Sequence, residues 1–196
     1  MCSTEQKIAF KIDESVTYIV PMYNASETIY DCLQSIAKQI LVKAKKIIVV
    51  DAGSNDSSVI QVKNFIQNHK EITIKLITGI GRLNPAQARN IGLRMADSTY
   101  VAFVDADILL PEHWTICCLN VLRAKPHAVV FGAVFPAGYI GSIGKLLNTK
   151  PKLVKLPVLT ASNLFMRYST AVSIGGFDES LLRGEDIALH HVCLRK

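Results

Sequence analysis

The 196-residue chain is 49% hydrophobic and 19% charged, which excludes a disordered chain and fits a globular one. No apolar run approaches the ~18 residues of a membrane-spanning helix, and the five cysteines, at positions 2, 32, 117, 118 and 193, lack metal-ligand spacing. The net charge of +6 is scattered, with one cluster at Lys145, Lys150, Lys152 and Lys155; no nucleic-acid motif accompanies it, so no nucleic-acid partner is expected.

Strands and helices alternate along the chain. Residues 16–20 (VTYIV) are predicted as the first strand. Asn24 to Glu27 offers a helix N-cap with an acid three positions on. Ile29, Cys32, Leu33, Ile36 and Ile40 then recur at helical spacing. Residues 46–50 (KIIVV) form a second strand, which runs into the turn-rich Asp51-Ala-Gly-Ser54. A helix over 58–68 and a strand over 72–77 follow. Asn84-Pro85 marks a helix start with proline at the first helical position. Ala88, Ile91, Met95 and Ala96 give that helix an apolar face, and Gly92 lets it approach the sheet. Residues 100–104 (YVAFV) are a buried strand, and a helix is expected from Pro111.

Beyond residue 125 the pattern loosens. Residues 128–134 and 158–167 are expected to be strands, and 136–157, rich in Gly, Pro and Lys, a mobile excursion. A short helix ends at Gly175-Gly176, and Glu185-Asp186 opens a last helical segment. The βαβα pattern predicts an α/β fold with a mostly parallel sheet and helices on both faces. Ligands bind such sheets outside the carboxyl ends of the strands. Three polar loops fall there: Pro21 to Asn24, Asp51 to Ser54, and Asp105-Ala106-Asp107.

Asp105 and Asp107 end a buried strand, so they repel each other and need a positive partner. A divalent cation, Mg²⁺ or Mn²⁺, suits them, because hard cations take oxygen ligands and combine one or two carboxylates with substrate phosphates. The competing role is structural, with Asp107 capping a helix ahead of Pro111 and Asp105 in a turn.

Four stretches occur in order: YIVPMYNASETIYDCLQSI, IIVVDAGSNDSS, AQARNIGLRMADSTYVAFVDADILL and GGFDESLLRGEDIAL. Together, over residues 16 to 194, they resemble the family 2 glycosyltransferases of the GT-A fold, a Rossmann-like class. The resemblance implies one glycosyltransferase domain over 1–196, with 1–15 as an N-terminal extension and 136–157 on the acceptor side. It also implies transfer of a sugar from a UDP- or GDP-linked donor to a glycan or lipid-linked acceptor, with inversion.

By that resemblance, Pro21, Tyr23 and Asn24 frame the nucleotide base, and Asp51 accepts a hydrogen bond from the base ring. Arg89 and Asn90 lie beside the donor. Asp107 binds the metal, and Asp105 reaches the ribose or the metal shell. Asp186 is the general base; no Ser-His-Asp or Cys-His arrangement is evident. Ala52, Ala25 and Met22 depart from the family pattern without removing a reacting group. The chain stops ten residues after Asp186, where family members continue with helices over the acceptor site, so weaker acceptor closure is expected.

His190 and His191 are expected on a solvated helix face, a metal-ligand role being the minority alternative. With no signal-peptide h-region in the first residues, the expected location is the cytoplasm, with peripheral contact at the inner membrane face through the lysine cluster. The alternatives are an inactive nucleotide-sugar-binding domain and an Asp-x-Asp phosphotransferase with Asp105 as nucleophile. The latter motif normally ends a first strand, whereas this one follows three.

Overall fold

The structure, a computed structural model, describes residues 14–40, 44–131 and 161–195. Its strands are β1 (Ser15–Met22), β2 (Ala44–Asp51), β3 (Thr73–Ile77), β4 (Tyr100–Val104), β5 (Val130–Phe131) and β6 (Asn163–Arg167). Its helices are α1 (Ile29–Ala37), α2 (Ser58–Asn68), α3 (Pro85–Arg94), α4 (Trp114–Ala124), α5 (Tyr168–Ser173) and α6 (Glu185–Arg195). The strands form one sheet in the order β3-β2-β1-β4-β6-β5. β1 to β4 are mutually parallel, while β6 runs antiparallel to β4 and to β5.

Alternation within the strands covers both faces, because successive side chains of a strand point to opposite sides. Ile47 and Val49 of β2 join Tyr18 and Val20 of β1 under Ile29, Leu33 and Ile36 of α1. Ile48 and Val50 turn the other way, onto Ala88 of α3, with Ile91 and Met95 packed beside them. Ile19 of β1 and Phe103 of β4 meet Ala86 and Leu93 of the same helix, with Ala96 just past its end in the same cluster. Helices therefore lie on both faces, as the apolar strands require.

The strand order creates the site. The chain moves outward from β1 through β2 to β3, then returns to add β4 on the other side of β1. That reversal leaves a crevice beyond the carboxyl ends of β1 and β4. The loops after Met22 and Val104 both open into it.

α3 sits close enough to form one wall. It starts as expected: Asn84 accepts from the Gln87 N–H at 2.8 Å, and Gln87 accepts from the Asn84 N–H at 2.9 Å. Gly92 faces Ile19, and a Cβ added there would lie 2.3 Å from the Ile19 Cγ2. Only a residue without a side chain allows that approach.

Two helix starts differ from the sequence expectation. Asn24 does not cap α1; a turn intervenes, in which Ala25 O accepts from the Thr28 and Ile29 N–H groups. α4 begins at Trp114, whose N–H bonds Pro111 O at 2.9 Å in a turn ahead of the helix. The expected strand over 128–134 forms at Val130–Phe131, and positions 132–134 lie outside the described residues. That over 158–167 forms at Asn163–Arg167, with 158–160 likewise outside. The expected excursion over 136–157, with its four lysines, also falls outside the described residues.

Candidate active site

At the carboxyl ends of β1 and β4 lies a cleft of about 710 Å³, whose lining includes Pro21, Tyr23, Asn24, Arg89, Asp105 and Asp107. Six of the nine candidate residues from the sequence thus meet in one concavity; Asn90 is not in its lining.

The first wall is a pair of interlocked loops. Asn24 takes φ +47°, a left-handed conformation that asparagine tolerates better than most residues. This turns its N–H to Ser54 Oγ at 2.9 Å and lets its Oδ1 accept from the Asn55 N–H at 2.9 Å. Ala25 N–H reaches Ser58 Oγ at 2.7 Å, and Ser26 N–H reaches Asp56 Oδ2 at 3.1 Å. The Ser58 hydroxyl donates to Asp56 and, with further backbone donors, holds its pKa down at about 2. The loops after β1 and β2 therefore form one unit, and Asn24 is its pivot.

Asp51 ends β2 behind this wall. It is 4% exposed and accepts the Ser54 N–H at 3.1 Å. Next to it Gly53, at φ +88°, lies against Gly81, whose carbonyl oxygen would be 3.1 Å from an added Cβ. That contact brings the loop after β3 onto the loop after β2. Arg82, from the loop after β3, then lays its guanidinium 3.3 Å from the ring centroid of Tyr23, which is 44% exposed.

The floor is Arg89. Its guanidinium donates to Asp105 Oδ1 at 2.7 Å and to Glu185 Oε1 at 2.6 Å, and the residue is only 4% exposed. It also lies 5.3 Å from the ring centroid of Phe177. Its Nε is buried and makes no hydrogen bond among the described residues. Arg89 is therefore one positive charge that answers the carboxylate at the end of β4, and it is shared with a second acid from far along the chain. Glu185 was not singled out in the sequence; the signal for it was an acid adjoining Asp186 with no other basic residue assigned to it. Beneath Asp105, the Cys32 thiol donates to the Asp105 carbonyl at 3.5 Å, and burial pushes its pKa up.

Asn90, the next residue of α3, holds the segment that leads to Glu185. Its Nδ2 donates to Phe177 O at 2.8 Å and to Glu179 Oε1 at 2.9 Å, and its Oδ1 accepts the Phe177 N–H at 2.9 Å. The Asn90 amide group holds the Glu179 pKa below its ordinary value. Gly176 permits this, since a Cβ there would lie 2.6 Å from the Asn90 Oδ1. Asp186 follows Glu185 at the start of α6, half-buried, and its Oδ1 accepts the Ile187 N–H at 2.8 Å. Asp51 and Asp186 are not among the residues lining the cleft. His190 and His191 stand one turn further along α6, with ring centroids 5.9 Å apart.

Residues 17–171 match the family described as Glycosyl transferase family 2. The chain belongs to that family. It is 28% identical over 182 residues to glycosyltransferase AglE of Haloferax volcanii, an alignment that covers 88% of this chain and 59% of that protein. It is 23% identical over 202 residues to the poly-beta-1,6-N-acetyl-D-glucosamine synthase of Staphylococcus aureus strain COL, covering 95% of this chain and 48% of that one. The chain thus spans only about half the length of such relatives.

The fold recurs in solved structures. S. aureus TarS 1–349 in complex with UDP superposes with a TM-score of 0.68 at 24% identity, over 90% of this chain and 54% of that one. The mannosyltransferase PcManGT from Pyrobaculum calidifontis, in complex with GDP-Man and Mn²⁺, gives 0.70 at 24% identity, over 87% and 49%. These neighbours share the GT-A fold.

The family's Asp-x-Asp pair invites a divalent cation, and the residues here fit one. Asp107 is exposed, lines the cleft, and its carboxylate makes no hydrogen bond or ion pair among the described residues. Asp105 commits Oδ1 to Arg89, and no hydrogen bond to its Oδ2 occurs among the described residues. No group of three or more His, Cys, Asp or Glu side chains suited to a metal occurs among the described residues. Two carboxylates with donor phosphates completing the shell match how Mg²⁺ is usually held. No helix among the described residues is long and apolar enough to cross a membrane.

Proposed function

We propose that the chain transfers a sugar from a nucleoside diphosphate donor to an acceptor hydroxyl, with inversion at the anomeric carbon. One observation carries this reading. Arg89 gathers the Asp105 end of the Asp-x-Asp motif and Glu185, the neighbour of Asp186, onto a single buried guanidinium. That pairing ties the end of β4, suited to the leaving diphosphate, to the first turn of α6, which carries Asp186 just outside the cleft lining.

In this reading the base of the donor lies along the Pro21–Asn24 loop and is recognised by Asp51. Tyr23 gives it an apolar face. Asp105 and Asp107 would hold Mg²⁺ or Mn²⁺, which when bound would stabilise the charge that develops on the leaving diphosphate. Asp186 takes the proton of the attacking hydroxyl. A single displacement needs one base and no protein nucleophile, consistent with inversion.

The donor class finds support in the names of the neighbours, which are bound to UDP or to GDP-Man with Mn²⁺. A glycan or lipid-linked acceptor accords with the poly-N-acetylglucosamine synthase relative. Contact of the lysine cluster with an anionic lipid face at the cytoplasmic side extends the same reading. The test is Asp186→Asn, which keeps size and removes basicity. Donor affinity should hold while transfer falls by about 10²–10⁴-fold. Transfer at the parent rate would remove Asp186 from the reaction.

A further inference from the structure

We infer that Glu185 is a positioning residue that couples cation binding at Asp105 and Asp107 to the seating of α6, and that Arg89 is the link. The inference rests on the donor-site reading above and adds a residue and a direction to it.

The geometry is explicit. Arg89 gives one nitrogen to Asp105 at 2.7 Å and another to Glu185 at 2.6 Å, and its side chain is 5% exposed. Glu185 is buried but does not line the cleft. The guanidinium is shared, so whatever weakens one of its pairs strengthens the other. A cation arriving at Asp105 draws charge from that carboxylate and repels the guanidinium. Arg89 then leans on Glu185, and the first turn of α6 is held more firmly. The segment before it supports this transmission. Asn84 donates to the Glu179 carbonyl at 2.9 Å, Asn90 brackets Phe177, and Arg94 meets Glu179 at 3.2 Å, so α3 holds the approach to α6 at several points. The Glu185–Arg89 pair is the contact that the cation site shares.

Coupling between two sites is reciprocal. Removing the charge of Glu185 leaves Arg89 to Asp105 alone and makes the crevice less negative. Both effects oppose the cation, so they act in one direction. Glu185→Gln keeps a hydrogen-bond acceptor for Arg89, and Glu185→Asp keeps the charge on a shorter arm.

The experiment measures UDP and GDP affinity in EDTA and in Mn²⁺, with hydrogen exchange of the 186–188 amides in both conditions. In the parent, Mn²⁺ with nucleotide should tighten affinity and slow exchange at 186–188. In Glu185→Gln, EDTA affinity should match the parent, the Mn²⁺ enhancement should shrink about fivefold or more, and the slowing should vanish. Glu185→Asp should restore part of the enhancement. A role in folding alone would lower thermal stability and leave the Mn²⁺ enhancement intact, which would overturn the inference. A parent that shows no Mn²⁺ enhancement would overturn the donor-site reading itself. An unchanged enhancement in Glu185→Gln beside a clear one in the parent would overturn only the coupling.

Discussion

Gly92 of α3 and Ile19 of β1 touch so closely that a single methyl group on Gly92 would fall 2.3 Å from the Ile19 Cγ2. The same helix carries Arg89 and Asn90, so this contact sets the height of the site's floor above the sheet. Gly92→Ala raises helix propensity but overpacks the interface. It should destabilise the fold by about 1–3 kcal/mol, read as a lower urea midpoint at unchanged slope. An unchanged or higher midpoint would show that Ile19 can yield.

Asn90→Ala removes the bracket around Phe177. The buried Phe177 N–H and C=O lose their partner together, and each unsatisfied buried group costs about 1–3 kcal/mol. Guanidinium unfolding should show a loss of about 2–4 kcal/mol. Exchange of the 177–186 amides should accelerate more than that of β1. Uniform acceleration across the sheet would mean that Asn90 serves the whole fold and not this segment.

The Ser58–Asp56 contact predicts an acid-sensitive first wall. The Asp56 pKa is held at about 2 by the Ser58 hydroxyl and backbone donors, below its ordinary 3.8. A depressed carboxylate pKa stabilises the folded state above the ordinary value, and that stabilisation is lost as pH falls through the depressed one. The tie between the loops after β1 and β2 should hold at pH 5 and weaken between pH 3.8 and about 2. In Ser58→Ala the Asp56 carboxyl, followed by NMR, should titrate closer to 3.8. A titration unchanged from the parent would contradict the assigned cause.

Asp51 is nearly closed from solvent and already accepts the Ser54 N–H. If it also recognises the base, Asp51→Ala should weaken nucleotide binding by about 1.5–3 kcal/mol and leave the cation's own affinity unchanged. Calorimetry with UDP and GDP checks this. Parent-like affinity would leave Asp51 as a loop residue.

What the sequence made legible follows from local rules. Asn84-Pro85 starts α3 because a capping side chain and a fixed φ act within one turn. The alternation of Ile47 to Val50 between two clusters follows from strand period alone. Five of the six cleft-lining candidates were legible because polar loops at parallel strand ends converge on a switch point; Arg89, on α3, was legible only through the family resemblance. What escaped depended on distant partners. Asn24 reads as an N-cap, yet Ser54 and Asn55 pull it into a left-handed turn. The antiparallel return of β6 has no local signature. Glu185 had only its place beside Asp186 to mark it, because its partner Arg89 lies 96 positions away in the chain.

The central claim is that Asp105 and Asp107 make this crevice a cation-assisted nucleotide site. Asp107→Ala tests it most directly, because Asp107 is exposed and makes no hydrogen bond among the described residues, so its removal leaves the fold intact. It also lowers the repulsion at the end of β4, so stability without metal should hold or rise. Nucleotide affinity is to be measured in EDTA and in Mn²⁺ for parent and variant. The account predicts clear Mn²⁺ enhancement in the parent and none in Asp107→Ala; equal affinity in EDTA and Mn²⁺ for the parent would contradict it.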